Sequence, residues 1–176
     1  YVGGRFSRIS SVERDGIAIF DALSGEMVGV RLPLERTGGD SPSVSGVAAT
    51  STTLFVQGKF SSSGSAPRRD VAAFSKATGA LLPWDPQANG SVDGVFVSDN
   101  HVFIYGNFSS VQGQPRRGIA AFDLDTGQLS SWNLSLDTNW VFSAATLGSS
   151  VVIAGTFSTV LGAPRQRVAR VTLPST

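Results

Sequence analysis

Short apolar segments separated by glycine-containing turns run the length of the chain, and they predict β-strands rather than helices. The segment Val102–Tyr105 has no charged or amide residue, as in a strand covered on both faces, and Ser91–Ser98 precedes it across a tight turn. Ile119–Asp123 is the next predicted strand, and the turn that ends at Gly127 sends the chain back into a fourth, Gln128–Trp132. The pattern therefore predicts four short antiparallel strands in about 48 residues.

The same pattern recurs along the chain at nearly constant intervals. The phenylalanine of a Gly-x-Phe-Ser motif recurs in steps of 54, 48 and 49 residues, at Phe6, Phe60, Phe108 and Phe157. A second apolar register follows in the same steps, at Phe20, Phe74, Phe122 and Val171. Because one such unit has two apolar faces that only neighbouring sheets can cover, the repeat is typical of a β-propeller.

We therefore predict an all-β chain with a β-propeller segment over residues 1–173, built from four-stranded antiparallel blades. About three blades are complete, with a partial blade at each end, and the seams between blades are expected near residues 4–20, 58–74, 106–122 and 155–171. Residues 174–176 are expected to begin a linker. Tyr1 falls inside a predicted strand, so we expect the chain to be part of a longer protein. Further repeats would then complete the ring; the alternative is an open arc that stacks against partners.

The segment from Trp84 to Trp132 carries an Asn-Gly pair followed by valine, a Gly-x-Phe strand end and an Arg-x-Ile-Ala strand start. In these features it resembles the delta-60 type β-propeller repeat, and it is also similar to the repeats of fungal Rax2-like cell-surface propellers. The resemblance implies a propeller, commonly within a large secreted or surface-displayed protein. It implies no family-wide catalytic residues.

Composition narrows the possible partners. The formal net charge is +1 and only 15% of residues are charged, so no strong field attracts nucleic acid or an acidic membrane surface. The chain has no cysteine, which excludes disulfides, thiol nucleophiles and cysteine-based zinc sites. No apolar run approaches the roughly 18 residues of a membrane span. We therefore expect neither nucleic-acid binding nor membrane insertion.

Two features could suggest chemistry, and neither predicts an active site. His101 is the only histidine and falls in a predicted turn, where a solvated side chain is expected. Asp123 and Asp125 resemble the start of a calcium loop, but the aligned turns at Asp21–Gly25 and Ser75–Gly79 lack one or both carboxylates. The turn itself is therefore what the repeat requires. We predict no catalytic residue, no metal site and no cofactor.

Paired arginines recur at equivalent positions of three repeats and are the candidate binding residues. They are Arg68, Arg69, Arg116, Arg117, Arg165 and Arg167. Their planar guanidinium groups could bind sulfate, phosphate or carboxylate groups along one rim. The alternative is that they cover exposed strand edges and deter pairing with other chains.

The tryptophans and the glycosylation motifs complete the set of candidates. Trp84 and Trp132 share one position in the repeat, which favours a role in packing, whereas Trp140 lies outside that register and is the candidate exposed ring. Three Asn-x-Ser motifs make Asn89, Asn107 and Asn133 candidate glycosylation sites, and they favour a secreted protein. Asn89 is the best candidate because it falls in a predicted loop.

These observations favour a non-catalytic protein of the extracellular space or cell surface, with a structural or recognition role. We expect it to bind other protein chains, further repeats of the same protein or glycans, as part of a larger surface or filament protein. The alternative is a carbohydrate-active or oxidoreductase propeller whose active residues lie outside this segment. A cytoplasmic scaffold fits the lack of cysteine but leaves the three Asn-x-Ser motifs without a role.

Overall fold

The chain is all-β, as the apolar pattern predicts. The structure is a computed structural model that describes residues 1–38 and 40–173, so the predicted linker at 174–176 lies outside the described part. The described part contains twenty strands and no helix. Among the same residues, no helix is long and apolar enough to cross a membrane. The chain divides into two compact units, Tyr1–Asp85 and Pro86–Thr176.

The strands of the first unit are β1 (Val2–Gly3), β2 (Arg8–Ile9), β3 (Val12–Glu13), β4 (Ile17–Ala18), β5 (Leu34–Glu35), β6 (Ser43–Ala49), β7 (Thr53–Lys59), β8 (Ser62–Ser63), β9 (Ala66–Pro67) and β10 (Val71–Ser75). Those of the second unit are β11 (Ser91–Ser98), β12 (His101–Asn107), β13 (Ser110–Val111), β14 (Gln114–Pro115), β15 (Ile119–Asp123), β16 (Val141–Leu147), β17 (Ser150–Gly155), β18 (Thr159–Val160), β19 (Ala163–Pro164) and β20 (Val168–Thr172).

Three larger sheets share one plan. Each is an antiparallel meander of three strands with the second strand in the middle: β6–β7–β10, β11–β12–β15 and β16–β17–β20. Each also has a register shift near the start of its first strand, after Val44, Val92 and Val141 respectively. A bulge at the same place in three sheets bends each first strand in the same way.

The prediction of a fourth strand in each repeat is wrong. The chain does turn back after Phe20, Phe74 and Phe122, but it pairs only through single bridges to Met27, Leu81 and Leu129. We call residues 26–30, 80–84 and 128–132 the return segments. In the last of them the Ser130 amide donates to the Ala121 carbonyl, whereas the Ser130 carbonyl accepts from the Arg116 side chain. The pairing does not continue past Ser130, whose carbonyl accepts from an arginine side chain.

The predicted seams contain small hairpins that the sequence pattern did not indicate. They pair β2 with β3, β8 with β9, β13 with β14 and β18 with β19. In the first unit, β5 adds a third strand to this hairpin by pairing with β8. Each seam therefore folds back on itself before the next large sheet begins.

The backbone is left-handed at one equivalent position after every seam hairpin, namely Gly16, Asp70, Gly118 and Arg167, where φ lies between 62° and 77°. The amide of each donates to the carbonyl of Phe6, Phe60, Phe108 or Phe157 respectively. Its carbonyl in turn accepts from the amide of Gly4, Gly58, Gly106 or Gly155. The fold thus needs the left-handed conformation here, whichever residue occupies the position.

Three of the motif glycines, Gly58, Gly106 and Gly155, are required by close backbone approach, as a glycine inside a strand suggests. A Cβ on Gly58 would lie 1.9 Å from the Ser43 carbonyl oxygen, and one on Gly106 would lie 2.2 Å from that of Ser91. Gly4 differs, because a Cβ there would meet only the Phe6 ring, at 3.2 Å. The glycine of the first motif is therefore not needed for the same reason.

Each unit has its own apolar core. In the second unit, Phe103 and Ala121 of one sheet share a buried cluster with Val151 and Ile153 of the other. In the first unit, Ile17 joins Val56 and Phe74 in a separate cluster. Removing such a side chain from water contributes roughly 1.5–3 kcal/mol each, so this burial is the main reason that such short strands form stable sheets.

Candidate functional site

In the first two arginine pairs, the first arginine binds the backbone of its own repeat. Arg68 Nη2 donates to the Leu82 carbonyl at 3.2 Å, and Arg116 Nη2 donates to the Ser130 carbonyl at 2.7 Å. In both cases the acceptor lies 14 residues further along the chain, in the return segment. The Nη1 atom of each also donates to the carbonyl of the preceding proline, at 2.7 and 2.8 Å. Each guanidinium therefore fastens a seam hairpin to its return segment.

Arg14 makes the same contacts, although the sequence around it lacks the paired arginines. Its Nη2 atom donates to the Val28 carbonyl at 3.0 Å, again 14 residues on, and its Nη1 atom donates to the Glu13 carbonyl. Arg14 is buried. Sequence reasoning missed it because the neighbouring residues differ, yet Arg14 lies 54 residues before Arg68, the same step that separates Phe6 from Phe60. Its position in the repeat was therefore the feature from which Arg14 could have been predicted.

The prediction that Arg68 and Arg116 bind an external ligand at the rim is therefore wrong, because their guanidinium groups are bound to backbone carbonyls. Burial lowers the pKa of Arg116, because desolvation penalises its charged form. The Nε atoms of Arg14, Arg68 and Arg116 are all buried and have no hydrogen-bond partner among the described residues. These guanidinium groups face their own backbone rather than an external ligand.

The second arginine of each pair is exposed, which keeps it available for binding. Arg69 lines a small cleft of about 250 Å³ together with Arg36, Lys59 and Asp70. Lys59 Nζ lies 3.6 Å from Asp70 Oδ1 and Arg36 Nη1 lies 3.5 Å from Asp40 Oδ2, so two of the three cations have a carboxylate beside them. The cleft therefore combines several hydrogen-bond donors with a net positive charge.

Arg117 is the corresponding exposed arginine of the second unit, whereas Arg167, also exposed, lies at the position of Asp70 and Gly118. Arg117 lines a cleft of about 240 Å³ with Asn133 and Ser135, and its Nη1 atom donates to the Leu136 carbonyl at 3.5 Å. That single long hydrogen bond leaves most of its donors directed elsewhere. Arg167 holds the left-handed position of its seam, with φ at 65°.

Arg165 corresponds to Arg68 and Arg116 in sequence but not in its contacts. It is exposed, and among the described residues its guanidinium donates to the Pro164 carbonyl, at 2.7 Å. It lines a cleft of about 660 Å³ together with Trp132, Leu134 and Val171.

The exposure predicted for Trp140 is confirmed: 45% of its surface is accessible, and the ring of Phe142, 50% exposed, contacts it edge-on with centroids 6.1 Å apart. Trp84 and Trp132 are packing residues, as their shared position suggests. Each lies edge-on to a phenylalanine 29 residues earlier, Phe55 at 5.2 Å and Phe103 at 5.6 Å.

The three glycosylation candidates differ in how their side chains are held. Asn89 is exposed, but its Nδ2 atom donates to Ser109 Oγ at 2.8 Å and its Oδ1 atom accepts from the Ser109 and Ser110 amides. Asn133 Oδ1 accepts from the Ser135 amide at 3.0 Å, and Asn107 is exposed at the end of β12. Glycosylation of all three stays a prediction, and the geometry favours Asn107 over Asn89.

Asp137 occupies the position of Asn89 in the next repeat and makes the corresponding contacts. Its carboxylate accepts from the Ser158 amide at 2.9 Å, from the Thr159 amide at 3.1 Å and from the Ser158 hydroxyl. These hydrogen bonds, the hydroxyl first, lower the pKa of Asp137 to about 2. Asn89 and Asp137 thus clamp the next seam hairpin in place.

His101 and Asp123 have structural roles. The expectation that His101 is solvated is wrong: it is buried, and it begins β12 opposite Asp123. Asp123 Oδ1 accepts from the Thr126 amide and hydroxyl and from the Asp125 amide, and these hydrogen bonds lower the pKa of Asp123. The carboxylate closes the turn, as the comparison of aligned turns predicts. Among the described residues, no group of three or more His, Asp or Glu side chains is placed to hold a metal ion.

Comparison with known proteins gives a likeness of fold only. No family model and no curated protein matches the chain. The crystal structure of the computationally designed Ika8 protein is similar, with a TM-score of 0.54 and 15% identity over 89% of this chain. The chain spans 44% of the length of that designed protein. The designed Ika4 protein aligns with 80% of this chain and 98% of its own, at 15% identity and a TM-score of 0.37.

Proposed function

We propose that the chain is a non-catalytic recognition segment of β-propeller architecture, displayed outside the cell as part of a larger surface or filament protein. It binds anionic groups of glycans or of other protein chains through Arg69, Arg117 and Arg167. The observation that carries the proposal is that the two arginines differ in their contacts within each of the first two pairs. Arg68 and Arg116 are held by their own backbone, whereas Arg69 and Arg117 stay exposed beside polar clefts.

The propeller architecture is supported by the recurrence of one sheet plan. Three meanders have the same strand order and a register shift at the same place. Within the second unit, two of these sheets bury one apolar layer between them. Sheets that are each apolar on two faces stack in succession, and a ring of blades is the usual way to complete such a stack.

Binding to heparin, used as a sulfated polysaccharide probe, tests the role of the arginines. The double variant Arg69→Gln/Arg117→Gln removes two exposed charges and should weaken binding about tenfold or more, because charge-assisted hydrogen bonds are among the strong polar contacts. Arg5→Gln/Arg8→Gln is the matched control, since it removes two exposed charges from outside these clefts. Surface plasmon resonance gives the affinities, and thermal melting should be unchanged in both variants.

Equal losses in the two double variants would show that only net charge matters. Undiminished binding by Arg69→Gln/Arg117→Gln would remove these arginines from the recognition surface. Either result contradicts the proposal.

A further inference from the structure

We propose that Trp140 and Phe142 form a stacking platform for a neutral pyranose ring of a glycan, and that Asn107 and Thr156 beside them bind its hydroxyl groups. Both aromatic rings are exposed, and they lie edge-on with centroids 6.1 Å apart. The site goes beyond the binding of anionic groups proposed above, because all four side chains are uncharged and none of the seam arginines takes part.

Pairing between strands brings these side chains to one face of the second unit. Asn107 lies opposite Ser91 on one side and bridges to Trp140 on the other. The Thr156 amide donates to the Trp140 carbonyl at 3.1 Å, which places Thr156 opposite Trp140. Directly opposite residues of antiparallel strands point to the same face, with Cβ atoms about 4.5–5.5 Å apart. Ser91, Asn107, Trp140 and Thr156 therefore form a continuous line at the surface, which we call the Trp140 row.

The two aromatic rings are specific to one repeat. The register shift in each large sheet aligns their positions with four small or polar residues of the other two sheets. These are Ser43 and Ser91 for Trp140, and Ser45 and Asp93 for Phe142. Because those sheets form with the same strand order, the fold does not require aromatic rings at these positions. Adjacent apolar rings held at the surface of rigid strands indicate a binding surface.

Position in the repeat keeps the two rings accessible when a further sheet follows. Trp140 already has a neighbouring strand on each side, through Asn107 and Thr156. The first strand of a following sheet would lie beside Thr156, as β16 lies beside Asn107. Asp93, the counterpart of Phe142, is exposed although the next sheet shares an apolar cluster with its own sheet. The exposure of the rings therefore follows from their place in the sheet.

The polar side chains of the Trp140 row suit the hydroxyl groups of a sugar. Asn107 is exposed, and its amide group has no hydrogen-bond partner among the described residues. An amide donates through nitrogen and accepts through oxygen, so it can bind two neighbouring hydroxyl groups at once. On the other side, the Thr156 and Thr138 hydroxyls lie 2.7 Å apart and keep further hydrogen-bonding capacity.

A neutral sugar matches both halves of this arrangement. A pyranose with equatorial substituents presents a face of C–H groups, which packs on an aromatic ring as other apolar groups do. Its hydroxyl groups project from the rim of the ring, toward the amide and hydroxyl groups that flank Trp140. The row offers no charged side chain to a sulfate or carboxylate, so the ligand is a neutral sugar.

Cellotetraose, a neutral tetramer of β-linked glucose, is the probe. It is added at up to millimolar concentration to ¹⁵N-labelled protein produced in bacteria, so that Asn107 carries no glycan. We expect saturable chemical-shift changes of the Trp140 indole N–H and the Asn107 side-chain amide, with the Trp84 indole unchanged. Sorbitol has comparable hydroxyl groups but no ring. It is the control ligand and should produce no such changes, because it has no C–H face to stack.

Protein variants test the role of each side chain. Trp140→Ala should weaken cellotetraose binding about tenfold or more, because the ring supplies most of the apolar contact. Trp140→Tyr keeps an aromatic ring and should retain affinity within about threefold. Asn107→Ala should weaken binding about fivefold, the loss expected when hydrogen bonds between neutral groups are removed. Leu147→Ala removes another exposed apolar side chain of β16, so it is the matched control and should bind like the parent protein.

The arginine variants separate this site from the function proposed above. Arg69→Gln/Arg117→Gln should bind cellotetraose like the parent protein, and Trp140→Ala should bind heparin like the parent protein. Failure of the heparin experiment therefore leaves the sugar platform standing, and failure of the cellotetraose experiment leaves the arginines standing.

Four results would overturn the inference. They are an absence of saturable shifts at the Trp140 indole, an equal response to sorbitol, unchanged affinity in Trp140→Ala, and an equal loss of affinity in Leu147→Ala. Self-association of the free protein that disappears in Trp140→Ala would also overturn it, because the two rings would then form a contact between copies of the chain instead of a sugar site.

Discussion

Two sheets of the second unit have the same design and different surroundings. The sheets β11–β12–β15 and β16–β17–β20 share strand order, register and the position of the bulge. Ile119 in the first is 3% exposed, whereas its equivalent Val168 is 59% exposed. Likewise Ala121 is fully buried and its equivalent Arg170 is exposed. The comparison teaches that the pattern of apolar residues is enough to form the sheet. Which of those residues stabilise the fold depends on whether another element packs against the face of the sheet.

The largest expected effect tests that difference directly. Ile119→Ala should lower the free energy of unfolding by about 2–5 kcal/mol, because it leaves a cavity in a packed core. Val168→Ala should change it by less than about 0.5 kcal/mol, as is usual for exposed positions. Urea unfolding followed by tryptophan fluorescence measures both. Similar costs at the two positions would mean that the exposed face of β20 is covered in solution.

The arginine that fastens the return segment provides the second test. Arg116→Gln should cost about 1.5–3 kcal/mol in unfolding free energy, because the Ser130 carbonyl loses a hydrogen bond from a charged donor. Arg165→Gln should cost less than about 0.5 kcal/mol, since its guanidinium is exposed and binds no return segment among the described residues. A comparable loss in both variants would contradict the difference between the two sheets.

A smaller effect is expected at the left-handed position, where the two sheets carry different residues, Gly118 and Arg167. Arg167→Gly should stabilise the chain by about 0.5–1 kcal/mol, because glycine adopts positive φ without a steric penalty. Arg167→Ala keeps the penalty while removing the side chain, so it is the control and should give no gain. Thermal melting distinguishes the two. Equal stabilisation by both would trace the effect to the side chain instead of the backbone.

The smallest expected effect concerns how stability depends on pH. Asn89 and Asp137 make the same contacts, but only Asp137 can titrate. The pKa of Asp137, about 2, lies below its ordinary value of 3.8. Its contribution to stability is therefore present above pH 3.8 and is lost as the pH falls toward about 2. In Asp137→Asn, which copies Asn89, this titration is absent. The parent protein should lose more unfolding free energy than the variant between pH 5 and pH 2.

Equal losses in the two proteins over that pH range would show that the hydrogen bonds from Ser158 and Thr159 do not favour the charged carboxylate. Hydrogen bonds also lower the pKa values of Asp21 and Asp123. Both residues are present in the parent protein and in the variant, so their titration cancels in the comparison.

The candidate site was only partly predictable from the sequence. Paired arginines at repeating positions indicated binding residues, but the pattern could not separate Arg68 from Arg69. The difference between the two arginines depends on the position of the Leu82 carbonyl, which lies in the return segment 14 residues after Arg68. His101 shows the same limit, because a polar residue in a predicted turn is buried when a strand begins one residue earlier than the pattern suggests.

The amino-acid sequence by itself determined the all-β class, the period, the strands with continuous apolar runs and the turns closed by Asp123 and Gly127. These follow from local geometry: alternation of side chains, positive φ at glycine and carboxylate capping of turn amides. Tertiary structure alone decided that the fourth strand shortens to a single bridge and that Arg14 binds its return segment as Arg68 and Arg116 do. Each of these depends on which backbone groups meet across the fold, and residues far apart in the chain carry no local signal of that meeting.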